Sequence, residues 1–239
     1  MPFPPTQHSV VLAVRSADPQ ERSRALDAIV AVYWRPVHRC LRARWGASDE
    51  DAKDLAQGFF AQALEKGLFA RFEPARGRFR TYLLTCLDGY AANERRATRR
   101  LKRGGDLTVV SLDPPDGDRS EVAEVAEEPG LEAYFEREWA RSLFGLGVDA
   151  LRSRCLGTSR EVAFRLFERY DLEGADAEAR VDYATLAAEH GLPVTQVTNH
   201  LAWARREFRA LVLQKLRDLT ASEEEFRAEA RSLLGLDPP

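Results

Sequence analysis

Phe79-Arg-Thr-Tyr-Leu-Leu-Thr-Cys-Leu-Asp-Gly-Tyr-Ala-Ala-Asn-Glu-Arg-Arg-Ala-Thr-Arg-Arg-Leu101 reads as one helix with two distinct faces. At about 100° per residue, Phe79, Leu83, Cys86, Leu87, Tyr90 and Ala97 share a face, the pattern of a core stripe. Cys86 is then a small buried hydrophobe. Beside that stripe runs a second one: Tyr82, Thr85, Gly89, Asn93, Arg96 and Arg100, with Arg95 and Arg99 flanking it. An aromatic ring can stack on an unpaired base. An asparagine can hydrogen-bond a base edge. Guanidinium groups bind phosphate, and a glycine lets a backbone come close. The same residues also fit a surface helix with an incidental glycine, or a helix in which Gly89 packs against a neighbouring helix.

Working outward, the preceding segment Gly67–Arg78 interleaves aromatic and basic residues, which is unusual for a plain connector. Its Arg71, Phe72, Arg76 and Arg78, continued by Arg80, are candidates for the wall of a base pocket. Upstream, Ser48 followed by Asp51 resembles a capping box opening a helix over 49–66. Gly46 closes a helix over 21–44. Helices are also expected over roughly 8–16, 130–155, 159–170, 182–190, 194–217 and 222–235. Leu107-Thr-Val-Val110 is the one short strand candidate, so the expected fold class is all-α.

The 182–217 stretch has the spacing of a helix-turn-helix. Asp182 caps a short helix, Gly191-Leu192-Pro193 turns the chain, and a long helix follows. Small Ala187 lets the helices touch, Gly191 takes the turn, and Val197 locks the second helix on the first. On that second helix Val197, Leu201, Ala204, Phe208, Leu211 and Val212 point inward. Thr195, Asn199, Ala202 and Arg206 point outward, with Thr198 and Arg209 beside them. Short polar residues at the helix start suit reading of the major groove. Trp203 is expected to pack.

Charge divides the chain in the same way. The overall net charge is only −3, but residues 1–103 carry +8, 104–128 carry −7, 129–217 are neutral and 218–239 carry −4. This predicts a basic module (1–103), a mobile acidic linker (104–128) containing Asp113-Pro-Pro-Asp-Gly-Asp118, a second module (129–217) and an acidic helical extension (218–239). A basic module beside an acidic tether points to nucleic acid or another polyanion. Three distant cysteines, Cys40, Cys86 and Cys155, exclude a disulfide framework and a cysteine zinc site, and suit a reducing cytoplasm. The four histidines form no metal-binding pair, so no cofactor or metal is expected. No window is long and apolar enough to span a membrane, and Met1-Pro-Phe-Pro-Pro5 lacks the pattern of a secretory signal.

Three segments resemble the sigma-70 family of RNA polymerase sigma factors, in the extracytoplasmic-function (ECF) group. Asp51-Ala-Lys-Asp-Leu-Ala-Gln-Gly-Phe-Phe60 resembles region 2.1–2.2, with Gly58 where the family usually has Glu. Gly77-Arg-Phe-Arg-Thr-Tyr-Leu83 through Asn93 and Arg95-Arg96 resembles region 2.3–2.4, with Tyr82 where Trp is common. Tyr183 through Ala187, Val197 and Ala204-Arg205 resembles the region 4 helix-turn-helix.

The resemblance implies that Asp51, Asp54, Gln57 and Phe60 bind core polymerase at the β′ clamp coiled coil. It implies that Arg71, Arg76, Arg78, Arg80, Tyr82, Asn93, Arg96, Arg99 and Arg100 serve the −10 element. Thr195, Gln196, Thr198, Asn199, Arg205 and Arg206 would serve the −35 element, and region 4 would also meet the β flap. The partners implied are core RNA polymerase and promoter DNA, with an anti-sigma factor or other regulator as a further candidate; no membrane is involved.

The alternative is a helix-turn-helix regulator that binds DNA without polymerase, for which the Asp51–Phe60 segment has no use. An enzyme built on Asp51 and Asp54 is disfavoured. They stand in a first helical turn, where acidic residues favour the dipole, with no catalytic partner set nearby. The extension at 218–239 reads as a short helix with Phe226, Ala230, Leu233 and Leu234 on one side, able to dock on region 4 or on a regulator.

Overall fold

The computed structural model describes residues 9–103, 130–175 and 181–235, and among them all regular structure is helical. Nine α-helices follow in chain order: α1 (Val10–Ala13), α2 (Pro19–Trp45), α3 (Asp49–Glu65), α4 (Phe79–Arg103), α5 (Leu131–Cys155), α6 (Glu161–Phe167), α7 (Tyr183–His190), α8 (Val194–Leu219) and α9 (Glu223–Leu234). Two short 3-10 turns, Phe69–Arg71 and Pro74–Arg76, lie between α3 and α4. The acidic stretch 104–128 and its strand candidate lie outside the described residues.

Local chemistry sets the helix ends. α2 starts earlier than the apolar pattern suggests, because Asp18 accepts from the Gln20 amide at 2.9 Å and Pro19 occupies the first helical position. It stops at Gly46, where φ is +59°, a conformation that glycine adopts without strain. The Ser48 hydroxyl accepts from the Asp51 amide at 3.1 Å and donates to the Asp51 carboxylate at 2.8 Å, capping α3 as its sequence predicts. Ser222 caps α9 by accepting from the Glu225 amide.

The described residues form two compact units. The first comprises those up to Ser142 and from Arg217 onward; the second is Leu143–Leu216. The first boundary therefore falls inside α5, some way past 129, and the second falls near the end of α8, one residue from the expected start of the extension at 218. In the first unit Ile29, Tyr33, Val37 and Leu41 of α2 meet the buried faces of α3, α4 and the start of α5. Ala52, Ala56 and Ala63 are fully buried and let α3 lie close to its neighbours. Tyr33 stacks with Phe135 at 6.3 Å between ring centroids and meets Phe79 edge-on at 5.5 Å.

Proline placement explains one link between α2 and α5. Pro36 lies inside α2 and has no N–H, so the carbonyl of Val32, four residues earlier, lacks its helical donor. Ser142 supplies the missing donor: its buried hydroxyl bonds the Val32 carbonyl at 2.7 Å. This contact and the buried Phe135 and Trp139 hold the first half of α5 in the first unit.

The C-terminal extension belongs to the first unit. Phe226, Glu229 and Ala230 of α9 are buried there, and the Arg217 guanidinium lies 4.0 Å from the Phe226 ring centroid. The helix packs in the unit that carries α2, α3, α4 and the first half of α5. The expected face of Phe226 and Ala230 is right, and the unexpected member is a buried carboxylate, Glu229.

The second unit is closed by Leu151, Cys155, Phe164, Leu166, Phe167, Leu186, Ala187, Val197, Leu201 and Ala204. At Gly147 α5 lies close against α8; a Cβ there would fall 2.6 Å from Val212 Cγ2. The Asp182 carboxylate accepts from the Thr185 amide at 2.7 Å and starts α7. Gly191, with φ of +62°, ends it, and the Leu192 amide donates back to the Ala187 carbonyl at 2.9 Å. The roles read for Ala187, Gly191 and Val197 are those seen, and Trp203 packs against this core with Arg160 over its ring.

Candidate nucleic-acid interface

α4 presents both faces that its periodicity predicts. Phe79, Leu83 and Leu87 are buried, joined by Leu84 and Ala91, and Cys86 and Tyr90 are half-buried. Burial raises the Cys86 thiol pKa, in keeping with a packing role. Ala97 is exposed, because the last turns of α4 run past the packed part of the helix. On the other stripe Thr85, Gly89, Asn93 and Arg96 are all exposed. A Cβ at Gly89 would meet nothing within 4 Å, so Gly89 is not a helix-packing residue. Asn93 Oδ1 accepts from the Arg96 guanidinium at 2.7 Å, which orients its amide. Arg99 and Arg100 continue the helix, but their side chains lie outside the described residues.

Tyr82 heads the stripe, half-buried. Its hydroxyl donates to the Leu68 carbonyl at 2.9 Å and its ring lies 5.7 Å from that of Phe72. Burial, followed by the neighbouring Cys86 thiol, pushes its pKa up to about 12, so it stays a neutral phenol. Tyr82 thus ties α4 to the loop before it instead of standing free as a stacking platform. The loop is also held from α1, where Arg15 donates to the Ala70 carbonyl at 2.9 Å and to that of Phe72. Arg71 is exposed beside these contacts, and Arg76 is exposed in a 2.8 Å ion pair with Glu73.

Two arginines of the expected −10 set have a different environment. Arg80 is buried, 2.7 Å from Glu229 of α9 and 3.0 Å from Glu136 of α5. Its plane also lies over Trp139, 4.6 Å from the ring centroid. Burial opposes its charge, and the Glu229 and Glu136 carboxylates more than offset this, so its pKa is raised. Arg80 is therefore corrected from a phosphate contact to a core ion pair. Arg78 is half-exposed, 3.0 Å from Glu229 and 3.7 Å from Glu136. The spacing of the basic residues pointed at the arginines, but their carboxylate partners are distant in sequence. The only local hint was the acidic face of the 222–235 helix.

The α3 face divides similarly. Asp51, Asp54 and Gln57 are exposed on one side. Phe60 is buried, stacked on Trp34 at 5.8 Å and edge-on to Phe59 at 5.3 Å. It is corrected from a contact residue to a core residue; an aromatic in a helical repeat buries itself when the core has room. Between α3 and α4 runs a groove of about 660 Å³ edged by Asp51, Asp54, Glu94 and Arg95 and floored by Leu55 and Tyr90. Gly58 belongs to this packing: a Cβ there would lie 2.4 Å from the Tyr90 hydroxyl. The tyrosine fills the space that a side chain at 58 would need.

In the second unit Thr195, Gln196, Thr198 and Asn199 are exposed at the start of α8, and Arg206 is exposed at its middle. Arg205 is not free. It makes a bidentate pair with Asp171, with Nε and an Nη at 2.9 and 2.8 Å, and lies over the Tyr170 ring. Hydrogen bonding to Asp171 raises its pKa, and this arginine is corrected to a positioning contact between α8 and the π-turn Glu168–Leu172. Among the described residues no cluster of acidic, cysteine or histidine side chains could hold a metal ion, and no helix is long and apolar enough to cross a membrane.

Residues 29–101 match the family model of Sigma-70 region 2. The match supports a sigma factor of the sigma-70 family, with a role in promoter recognition by RNA polymerase. Region 2 runs here from the middle of α2 nearly to the end of α4, so it contains the Asp51/Asp54/Gln57 face, the basic loop and the exposed α4 stripe. The α7–α8 pair lies beyond it. No curated protein and no solved structure matches the chain.

Proposed function

We propose that this chain is an ECF-type sigma factor: it binds core RNA polymerase, recognises a promoter and opens it. The observation that carries the reading is the coincidence, inside the region 2 match, of two exposed polar faces on separate helices. One is acidic, on α3, and suits a basic docking element such as the β′ clamp coiled coil. The other is the amide-and-guanidinium stripe of α4, which suits unpaired DNA at −10. Arg71, Arg76 and Arg78 extend that stripe around the loop, and the sequence assigns Arg99 and Arg100 to the same set. In the same reading α7 and α8 are the region 4 helix-turn-helix, with Thr195, Gln196, Thr198, Asn199 and Arg206 facing the −35 element and the unit meeting the β flap. The chain adds no bond-making chemistry of its own.

The test is capture of core polymerase on the immobilised full chain, with run-off transcription from promoters selected by the reconstituted holoenzyme. Charge-assisted hydrogen bonds contribute about 1.5–3 kcal/mol each, so D51A/D54A should weaken capture roughly tenfold or more. Unchanged capture by a folded D51A/D54A protein removes the α3 assignment. Specific promoter binding by the chain with no affinity for polymerase would favour a helix-turn-helix regulator instead.

A further inference from the structure

Glu229 is a buried carboxylate, its side chain 2% exposed, on a helix at the far end of the chain from the arginines it contacts. Burying a carboxylate is unfavourable unless it is paired and held. Here it is held twice, by Arg80 at 2.7 Å and by Arg78 at 3.0 Å, with Glu136 adding a second carboxylate at 3.0 and 3.7 Å from the same two arginines. The two cations differ in exposure. Arg80 is 8% exposed and serves the core; Arg78 is 47% exposed and closes the basic loop. Arg78 also leads directly into the α4 stripe, since its carbonyl accepts the Tyr82 amide at 3.2 Å. The docking of α9 is built for this position: Ser222 caps it, Phe226 and Ala230 are buried, and Arg217 grips it through Glu223 and the Phe226 ring.

We infer that the C-terminal helix is an electrostatic brake on the candidate −10 surface, in which Glu229, assisted by Glu136, competes with nucleic-acid phosphate for Arg78. The brake regulates the surface put forward under Proposed function and rests on that reading. A phosphate reaching Arg78 must displace two carboxylates already in place. Neutralising either one, or undocking α9, weakens the hold on that cation and makes it more available to the basic loop formed with Arg71 and Arg76. Arg80 stays in the core throughout and is not part of the released surface.

The experiment measures binding of a fluorescein-labelled mixed-sequence single-stranded DNA to the full chain across a salt series. E136Q and E229Q should bind about two- to fivefold tighter at low salt, the range of one exposed ion pair. Their log–log salt slope should steepen by about 0.7, one added phosphate contact on a single strand. E224Q removes the same charge from an exposed position of α9 and should change neither. R78A/E136Q should lose the gain. Glu136 is 43% exposed, so E136Q decides the matter if E229Q fails to fold. Binding by E136Q indistinguishable from that of E224Q overturns the brake. If R96A weakens binding while E136Q is silent, the nucleic-acid surface stands and only the brake falls. If R96A is silent as well, the surface itself is wrong and the brake falls with it.

Discussion

Ser142→Ala is expected to lower stability only because of a proline far away in sequence. In the native first unit the Val32 carbonyl is denied its helical donor by Pro36 and takes the buried Ser142 hydroxyl at 2.7 Å instead. Removing that hydroxyl leaves a buried carbonyl with no partner, which costs about 1–3 kcal/mol. With a urea m-value of about 2 kcal/mol/M, a loss of about 2 kcal/mol lowers the unfolding midpoint by about 1 M. Pro36→Ala restores an N–H in reach of Val32, so S142A should then be close to neutral. The cycle of P36A, S142A and the double variant should show a coupling of about 1 kcal/mol or more. Three of the four tryptophans, Trp34, Trp45 and Trp139, lie in the first unit, so fluorescence in urea reports on it. Equal destabilisation by S142A in both backgrounds would refute the argument that the hydroxyl replaces the missing N–H.

Four further outcomes follow from the same geometry. Gly58→Ala should cost about 1–3 kcal/mol by crowding the Tyr90 hydroxyl, and Tyr90→Phe should restore most of it in thermal unfolding. Arg96→Ala should lower the salt slope of single-stranded DNA binding by roughly one phosphate contact, read by fluorescence anisotropy. Asn93→Ala should reduce discrimination at one base by about 1–3 kcal/mol, read by competition among single-base variants of a −10 strand. Burial, above the opposing Ala221 amide contact, raises the Glu225 carboxyl pKa. Its protonated form is therefore favoured in the folded state, and that contribution is lost as pH rises through its folded value. Glu225→Gln should thus stabilise the protein at neutral pH, with the gain vanishing on acidification; urea midpoints across pH check it.

Much was legible in the sequence because it is local. The helical periods of α4 and α8, the caps at Ser48 and Asp182, and the turn at Gly191 depend on residues a few positions apart. So does the exposed run Thr85, Gly89, Asn93, Arg96. These determine an all-α chain with a polar stripe on one helix and a second helical pair near its end. What the sequence could not disclose is which polar side chains meet others. Arg80 and Arg96 both read as basic residues on one helix, each next to another arginine or separated from one by a single residue. Yet one is buried between Glu136 and Glu229 and the other is exposed beside Asn93. Phe60 and Tyr82 look alike as aromatic contacts until the core claims the first and a loop carbonyl the second. The docking of α9 in the first unit belongs to the same class. A buried charge is tolerated only where a distant segment supplies its partner, and only the tertiary fold brings Glu229 to Arg78 and Arg80.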